Sequence, residues 1–360
     1  MIKFLKLSIF TTFMLLFLCN CSISQTIIDA DNPAIVYSGR IDFSNKKAPC
    51  FGYSGVRIRT KFTGKSIKAK LASPQNINYF YVIIDSILQP KILVDQRTSE
   101  VVLAQNLKDT IHELELLKIT ECSQGKCIFK GFELDENKKL LKGIVPETRK
   151  IHFIGNSITC GYGIEVLDSS LHFDPATENF YDAYAAITAR KLKADFNIVA
   201  RSGIGIYRNY GAPKTGSTDN MFNIYTQILH DNISPKWDMS LFQPQVVCLN
   251  LGTNDFSEQK GDATIFTTQY NKFVDSLRSY YPNSKLVLLM GPMYNAREYK
   301  EILQGVVKKH ELAGDKNISM FEMSAQGELR FGADWHPSRA QARKNAAELT
   351  EYLRSITGWK

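Results

Sequence analysis

The sequence has no dense run of lysine or arginine: 44 basic residues against 36 acidic give a formal charge of +8, spread along 360 residues. The local pairs Lys138-Lys139 and Lys308-Lys309 read as solvated faces, which sets nucleic-acid binding aside. It has no Cys-x-x-Cys pair, and no two of its six histidines stand at helical spacing, so no metal site is expected. It has no internal repeat, no low-complexity tract and no long flexible apolar lid. Beyond the N-terminus it has no apolar stretch long enough to span a bilayer. What it does have, 44% hydrophobic and 11% aromatic residues, is too much apolar side chain for a disordered tail and enough for one large core or two modest ones.

Residues 1–21 read as a signal peptide. Lys3 and Lys6 precede an apolar block from Leu7 to Leu18, interrupted by Ser8, Thr11 and Thr12 and followed by Cys19, Asn20, Cys21 and Ser22. The chain is therefore expected to be exported, as a periplasmic, outer-membrane-anchored or secreted protein. Cys21 stands three residues after Leu18, the spacing of a bacterial lipobox. Lipidation on Cys21, the one expected route to a membrane, and simple cleavage nearby both stay open. Five further cysteines follow, an odd number that leaves at least one free thiol. Cys122 and Cys127 flank the turn-forming Ser-Gln-Gly-Lys, and a disulfide clipping that hairpin is an expectation.

The chain changes character near residue 145. From Val36 to Leu134 apolar residues alternate with polar ones in short runs: Val56 and Ile58 around Arg57, then Ile67, Ala69 and Leu71 around Lys68 and Lys70. Gly52, Gly55, Gly64, Pro74, Pro90 and Gly125 punctuate them. This pattern predicts an N-terminal antiparallel β-sandwich over 36–134, jelly-roll-like. Residues 135–150, with Gly143 and Pro146, read as a linker. Over 151–360 short apolar strands alternate with amphipathic helices (Tyr181–Lys193, Thr264–Tyr280, Glu298–Ala313, Pro337–Ile356), which predicts an α/β doubly wound parallel sheet with ligands at the carboxyl ends of its strands.

Those strand ends carry the chemistry. Ile151–Ile154 leads into Gly155-Asn156-Ser157-Ile158-Thr159. A serine on a turn between a buried strand and a helix start presents its hydroxyl beside a backbone N–H, as nucleophilic acyl transfer requires; capping the helix is the plainer alternative. The next strand ends in Ser202-Gly203, the next in Gly252-Thr253-Asn254-Asp255, and the last is followed by Asp334-Trp335-His336-Pro337-Ser338, which delivers a base to the same cleft.

Ser, Gly, Asn and His in that order at four strand ends resemble the SGNH hydrolases, also called GDSL-type esterases. The runs from Gly155, from Ser202 (Ser-Gly-Ile-Gly-Ile-Tyr-Arg-Asn-Tyr) and from Asp334 further resemble the family-two carbohydrate esterases, as do Tyr37-Ser38-Gly39-Arg40-Ile41 and Thr120-Glu121. The resemblance implies Ser157 as nucleophile, His336 as base, and Ser157, Gly203 and Asn254 as the oxyanion hole. It further implies removal of acetyl groups from plant cell-wall xylan or mannan, with an acetylated polysaccharide or oligosaccharide as partner and no cofactor. Tyr162 and Trp335 are candidates for stacking on sugar faces. Many SGNH enzymes carry an acid three residues before the histidine; here that position is Ala333 and the acid is Asp334. Either the Asp334 side chain or a backbone carbonyl must then orient His336. A lipid or lysophospholipid esterase, or a non-catalytic carbohydrate-binding protein, are the alternative readings.

Overall fold

The computed structural model describes residues 25–360 apart from 231, 260 and 295; the leader and Cys21 lie outside the described residues. From Thr26 to Leu141 the chain forms two antiparallel sheets. In one, Cys127–Leu134 pairs with Thr26–Asp29 on one side and with Ile67–Ala72 on the other, with Val101–Ala104 outermost. In the other, Arg57–Gly64, Thr110–Lys118 and Asn78–Ile84 run side by side. The alternation builds the core directly: Ile67, Ala69 and Leu71 turn inward while Lys68 and Lys70 turn outward. Phe51, Phe62, Phe80, Phe129 and Phe132 fill the space between the sheets. The strands Thr26–Asp29 and Leu140–Leu141 extend the sandwich on both sides of 36–134; neither buries a side chain fully, so neither carries an apolar pattern that sequence inspection detects.

Part of the outer face of the second sheet is covered by the following layer. Arg57 and Arg59, which alternation assigns to a solvated face, are 5% and 6% exposed. The Arg57 guanidinium pairs with Asp195 and lies 4.4 Å from the centre of the Phe196 ring, while Arg59 pairs with Glu147 at 3.0 Å. Leu117 and Ile119 at the end of the sandwich join Ile151, Phe153, Phe180 and Ile198 in one apolar cluster. The expected Cys122–Cys127 disulfide is not formed, because the two side chains serve different cores. Cys127 points between the sandwich sheets, whereas Cys122 faces the second layer and its Sγ donates to the Ala200 carbonyl at 3.6 Å.

Beyond residue 148 five parallel strands, Arg149–Gly155, Ala194–Ala200, Val246–Asn250, Lys285–Met290 and Ile318–Glu322, stand in the spatial order second, first, third, fourth, fifth. Helices Tyr184–Lys191 and Arg339–Thr357 cover one face; Ala263–Tyr280 and Arg297–Leu312 cover the other. Burial on both faces explains why the inner strands read as continuous apolar runs. The order reverses around the first strand, which opens a crevice at the carboxyl ends of the first and third. The helix expected from Tyr181 starts at Tyr184, because Ala183 is extended (φ −71°, ψ 154°) after a short 3₁₀ turn over Phe180–Asp182. Among the described residues no helix is long and apolar enough to cross a membrane.

Candidate active site

The first strand ends at Gly155, where a Cβ would lie 2.0 Å from Thr159 Oγ1; glycine alone lets the chain turn back so tightly. Asn156 caps the short helix Ser157–Cys160, its Oδ1 accepting from the Ile158 N–H at 3.1 Å. Ser157 is thus relieved of capping. Its Oγ lies 2.8 Å from His336 Nε2, across 179 residues of chain.

His336 Nδ1 faces two carbonyl oxygens, Ala333 at 3.2 Å and Asp334 at 3.1 Å. Both are acceptors, so Nδ1 carries the proton and Nε2 is free to accept from Ser157. The Asp334 carboxylate turns away from the imidazole. It accepts from the Tyr162 hydroxyl at 2.7 Å and the Phe173 N–H at 3.0 Å, and meets His172 Nδ1 at 2.9 Å. Against the burial that raises it, those hydrogen bonds hold the Asp334 carboxyl below the usual carboxylate range. Of the two alternatives for orienting His336, the geometry places the backbone carbonyls, not the side chain, against the ring. The turn that aims them is strained: Asp334 and Trp335 have φ of +47° and +62°. The Asp334 side chain, tied at three points, holds that turn in place.

Burial lowers His336 to about 4, outweighing the two carbonyl acceptors that raise it. Tyr162, a candidate sugar platform, lines the cleft and packs on the imidazole, with ring centroids 4.1 Å apart and planes 26° from parallel. Trp335 is 60% exposed beside Phe331 and stands outside the cleft lining. The cleft has a volume of about 610 Å³ and is lined by Ser157, Gly203, Tyr210, Asn254, Tyr294 and His336, among others. The four loops singled out from sequence therefore converge on one space. Gly203, at φ +74°, bends its loop so that its carbonyl accepts from the Tyr210 N–H at 2.8 Å. Asn254 Nδ2 donates one hydrogen to the Ile204 carbonyl at 2.8 Å, leaving its second for a ligand.

The chain is similar to known carbohydrate esterases. A family model described as Carbohydrate esterase 2 N-terminal matches residues 37–143, and one for the GDSL-like Lipase/Acylhydrolase family matches 153–356. A solved structure of a family two carbohydrate esterase from Clostridium thermocellum, in complex with cellohexaose, superposes with a TM-score of 0.86 at 37% identity, covering 91% of this chain and 100% of that one. The chain belongs to the family-two carbohydrate esterases. A cellulase/esterase, CelE, of Acetivibrio thermocellus is 38% identical over 336 residues, 92% of this chain; the chain spans 40% of that relative's length. An acetylxylan esterase / glucomannan deacetylase of Cellvibrio japonicus is 28% identical over 354 residues, 95% of this chain and 96% of the relative.

Three further residues of this carbohydrate esterase chain shape the site. Asp255, buried, accepts from the N–H groups of Ile206, Tyr207 and Arg208 at 3.0, 2.9 and 3.1 Å. Burial pushes its carboxyl up to about 6 against those three donors. Arg208, fully buried, returns the contact by donating to the carbonyls of Asn254, Asp255 and Ser257. This reciprocal clasp locks the Gly203 loop to the Asn254 loop. The third is Glu121, from the sandwich, 1% exposed, whose Oε2 accepts from the Ser202 N–H at 2.6 Å. Asp255 reads from sequence as a structural hydrogen-bonder in its loop; Arg208 and Glu121 lie in runs shared with the family but show no chemistry until the layers meet. Glu121, Cys160 and Glu178 bring ligand atoms within 4.8 Å of one another, the one such group among the described residues. Burial, then the neighbouring Glu121, push the Glu178 carboxyl up, and burial does the same to the Cys160 thiol. Both shifts favour the protonated forms, which makes this a poor donor set for a cation.

Proposed function

We propose that this protein is a serine esterase that removes O-acetyl groups from plant cell-wall polysaccharides of the xylan or mannan type. One observation carries the reading: Ser157 Oγ stands 2.8 Å from His336 Nε2 in a cleft that Gly203 and Asn254 also line. In the proposed reaction His336 Nε2 takes the proton from Ser157 as the serine oxygen attacks the acetyl carbonyl. The oxyanion is held by the N–H groups of Ser157 and Gly203 and the second amide hydrogen of Asn254. His336 then gives its proton to the departing sugar hydroxyl, leaving acetyl-Ser157. Water, deprotonated by His336, attacks that ester and releases acetate, restoring the serine. The Ala333 and Asp334 carbonyls keep the Nδ1 proton throughout, so this is a dyad in which backbone replaces the acid. The names of the Cellvibrio japonicus relatives, acetylxylan esterase and glucomannan deacetylase, support the polysaccharide class. A polymeric substrate is met outside the cytoplasm, so export through residues 1–21, with or without a lipid on Cys21, is part of the same proposal.

Ser157→Ala is expected to lower turnover of an aryl acetate by at least about a thousandfold with the fold intact, since removing the nucleophile acts on the chemical step. Retention of a tenth of the rate would sink the assignment. Acetate release from acetylated xylan, acetylated glucomannan and position-defined sugar acetates identifies the substrate. A preference for octanoyl over acetyl esters would favour a lipid esterase instead.

A further inference from the structure

The oxyanion hole depends on the direction of one peptide, Ser202–Gly203, and Gly203 has no side chain to fix it. The two peptides that flank it are tied instead. On one side the Gly203 carbonyl accepts from the Tyr210 N–H at 2.8 Å. On the other side the partner comes from the sandwich: Glu121 Oε2 accepts from the Ser202 N–H at 2.6 Å. The same oxygen lies 3.7 Å from Cys160 Sγ, at the end of the four-residue helix that Ser157 begins. One carboxylate therefore touches both the nucleophile's helix and the loop that must receive the oxyanion. Glu121 is itself held firmly. Its N–H donates to Glu178 Oε2 at 3.1 Å, and Lys118 Nζ donates to its carbonyl at 3.2 Å and to that of Thr120 at 2.6 Å. Next to it the Ile119 carbonyl accepts from the Phe180 N–H at 3.0 Å. Burying a carboxylate this completely carries a large desolvation penalty, against which stand the Ser202 N–H and the Cys160 thiol as donors to Oε2.

We infer that Glu121, reaching across from the sandwich, is a positioning residue for the oxyanion hole, fixing the Gly203 N–H relative to Ser157. The sandwich would then supply part of the active-site framework as well as a docking surface for the catalytic layer. The inference rests on the serine-esterase reading above. Displacing a catalytic group by about 1 Å typically lowers turnover on the order of a hundredfold.

The test compares Glu121→Ala, Glu121→Asp and Glu121→Gln in the full chain by two readouts. One is turnover of 4-nitrophenyl acetate. The other is the rate constant for labelling of Ser157 by diethyl 4-nitrophenyl phosphate, followed by intact mass; Ser157 Oγ bonds to phosphorus, 4-nitrophenolate leaves, and the phosphoryl oxygen occupies the oxyanion hole. A fraction of misfolded enzyme lowers the final extent of labelling but not its rate constant. Glu121→Ala is expected to lower kcat and the labelling rate constant together, each by about 30- to 300-fold, with KM within about threefold. Glutamine keeps the reach and an acceptor oxygen and is expected to recover most of the loss; aspartate keeps the charge but falls short and is expected to resemble alanine. Where the alanine variant fails to fold, the aspartate and glutamine pair decides. A glutamine variant as impaired as aspartate, an aspartate variant as active as wild type, or a loss of kcat with an unchanged labelling rate would each overturn the inference. If wild type labels at Ser157 yet does not hydrolyse the acetate, the proposed reaction fails while the labelling rates still decide the role of Glu121.

Discussion

At the residue scale, the histidine is the group whose surroundings make a measurable claim. His336 donates to two neutral carbonyls and has a tyrosine ring over its face; burial lowers its value to about 4, outweighing those carbonyls and the Asp334 charge, which raise it. Only the neutral ring accepts from Ser157. Activity is therefore present above that value and lost as pH falls through it. We expect kcat/KM on an aryl acetate to be level from about pH 8 to about pH 5 and to fall by half near pH 4, since this parameter reports the free enzyme's base. A half-point near the ordinary 6.5 would show that a carboxylate reaches the ring. The same geometry separates the two roles open to Asp334. Its carboxylate serves Tyr162, His172 and Phe173, whereas its carbonyl serves His336. Asp334→Ala is therefore expected to keep at least about a tenth of kcat, where disabling the acid of a carboxylate triad loses about ten thousandfold. It should lower the melting temperature, because an alanine must hold φ +47° without those three ties. A thousandfold loss at an unchanged melting temperature would make the side chain a catalytic member.

At the scale of elements, the site is made by loops after strands, and the strands fix where those loops start but not how they lie against each other. The Arg208–Asp255 clasp does that for the loops carrying Gly203 and Asn254. Arg208→Met would leave the carbonyls of Asn254, Asp255 and Ser257 without their buried donor. We expect it to lower the free energy of unfolding by about 3–5 kcal/mol, the range for stripping one partner from a buried charged network. Urea denaturation measures this, and a change below about 1 kcal/mol, the range of ordinary surface substitutions, would show that the loops hold each other without it. Helices Ala263–Tyr280 and Arg297–Leu312 lie within a residue of where the apolar spacing puts them, because each has one face on the sheet and one in water. The stretch from Arg201 to Gln245 offers no such period. Its short helix Met221–Ile224 and the hairpin of Gln227–Leu229 with Asn232–Lys236 are organised by distant partners, among them Arg40, whose Nη1 donates to the Tyr225 and Gln227 carbonyls.

For the whole molecule, the question is whether the sandwich is an accessory or part of the catalytic fold. Three contacts bear on it: Leu117 and Ile119 lie in the apolar cluster of the parallel sheet, Arg57 is buried against Asp195 and Phe196, and Glu121 reaches Ser202. Cutting the chain near residue 145 would expose that cluster and leave Asp195 without its cation. We expect residues 145–360 expressed alone to be insoluble, or soluble without aryl acetate hydrolysis, and co-expression with residues 25–144 to restore both properties. A soluble, fully active fragment would show that the sandwich merely decorates the catalytic layer.

The sequence by itself determined what depends on near neighbours along the chain. Alternation placed Ile67, Ala69 and Leu71 on one face, continuous apolar runs marked the parallel strands, and glycine and serine at the strand ends marked the loops that carry Ser157, Gly203, Asn254 and His336. These are read from periods of two or 3.6 residues and from turn chemistry, which act within a few residues. The tertiary structure decided whatever rests on groups far apart in sequence. Cys122 and Cys127 went to separate cores, Arg57 and Arg59 became buried where alternation alone exposes them, and the acceptor for His336 became a carbonyl because the Asp334 side chain was taken by Tyr162 and Phe173. Glu121 acquired its partner in the same way, 81 residues away at Ser202. The physical reason is common to all four: a charged or polar side chain takes its role from whichever donors, acceptors and apolar surface tertiary packing brings to it as water is excluded.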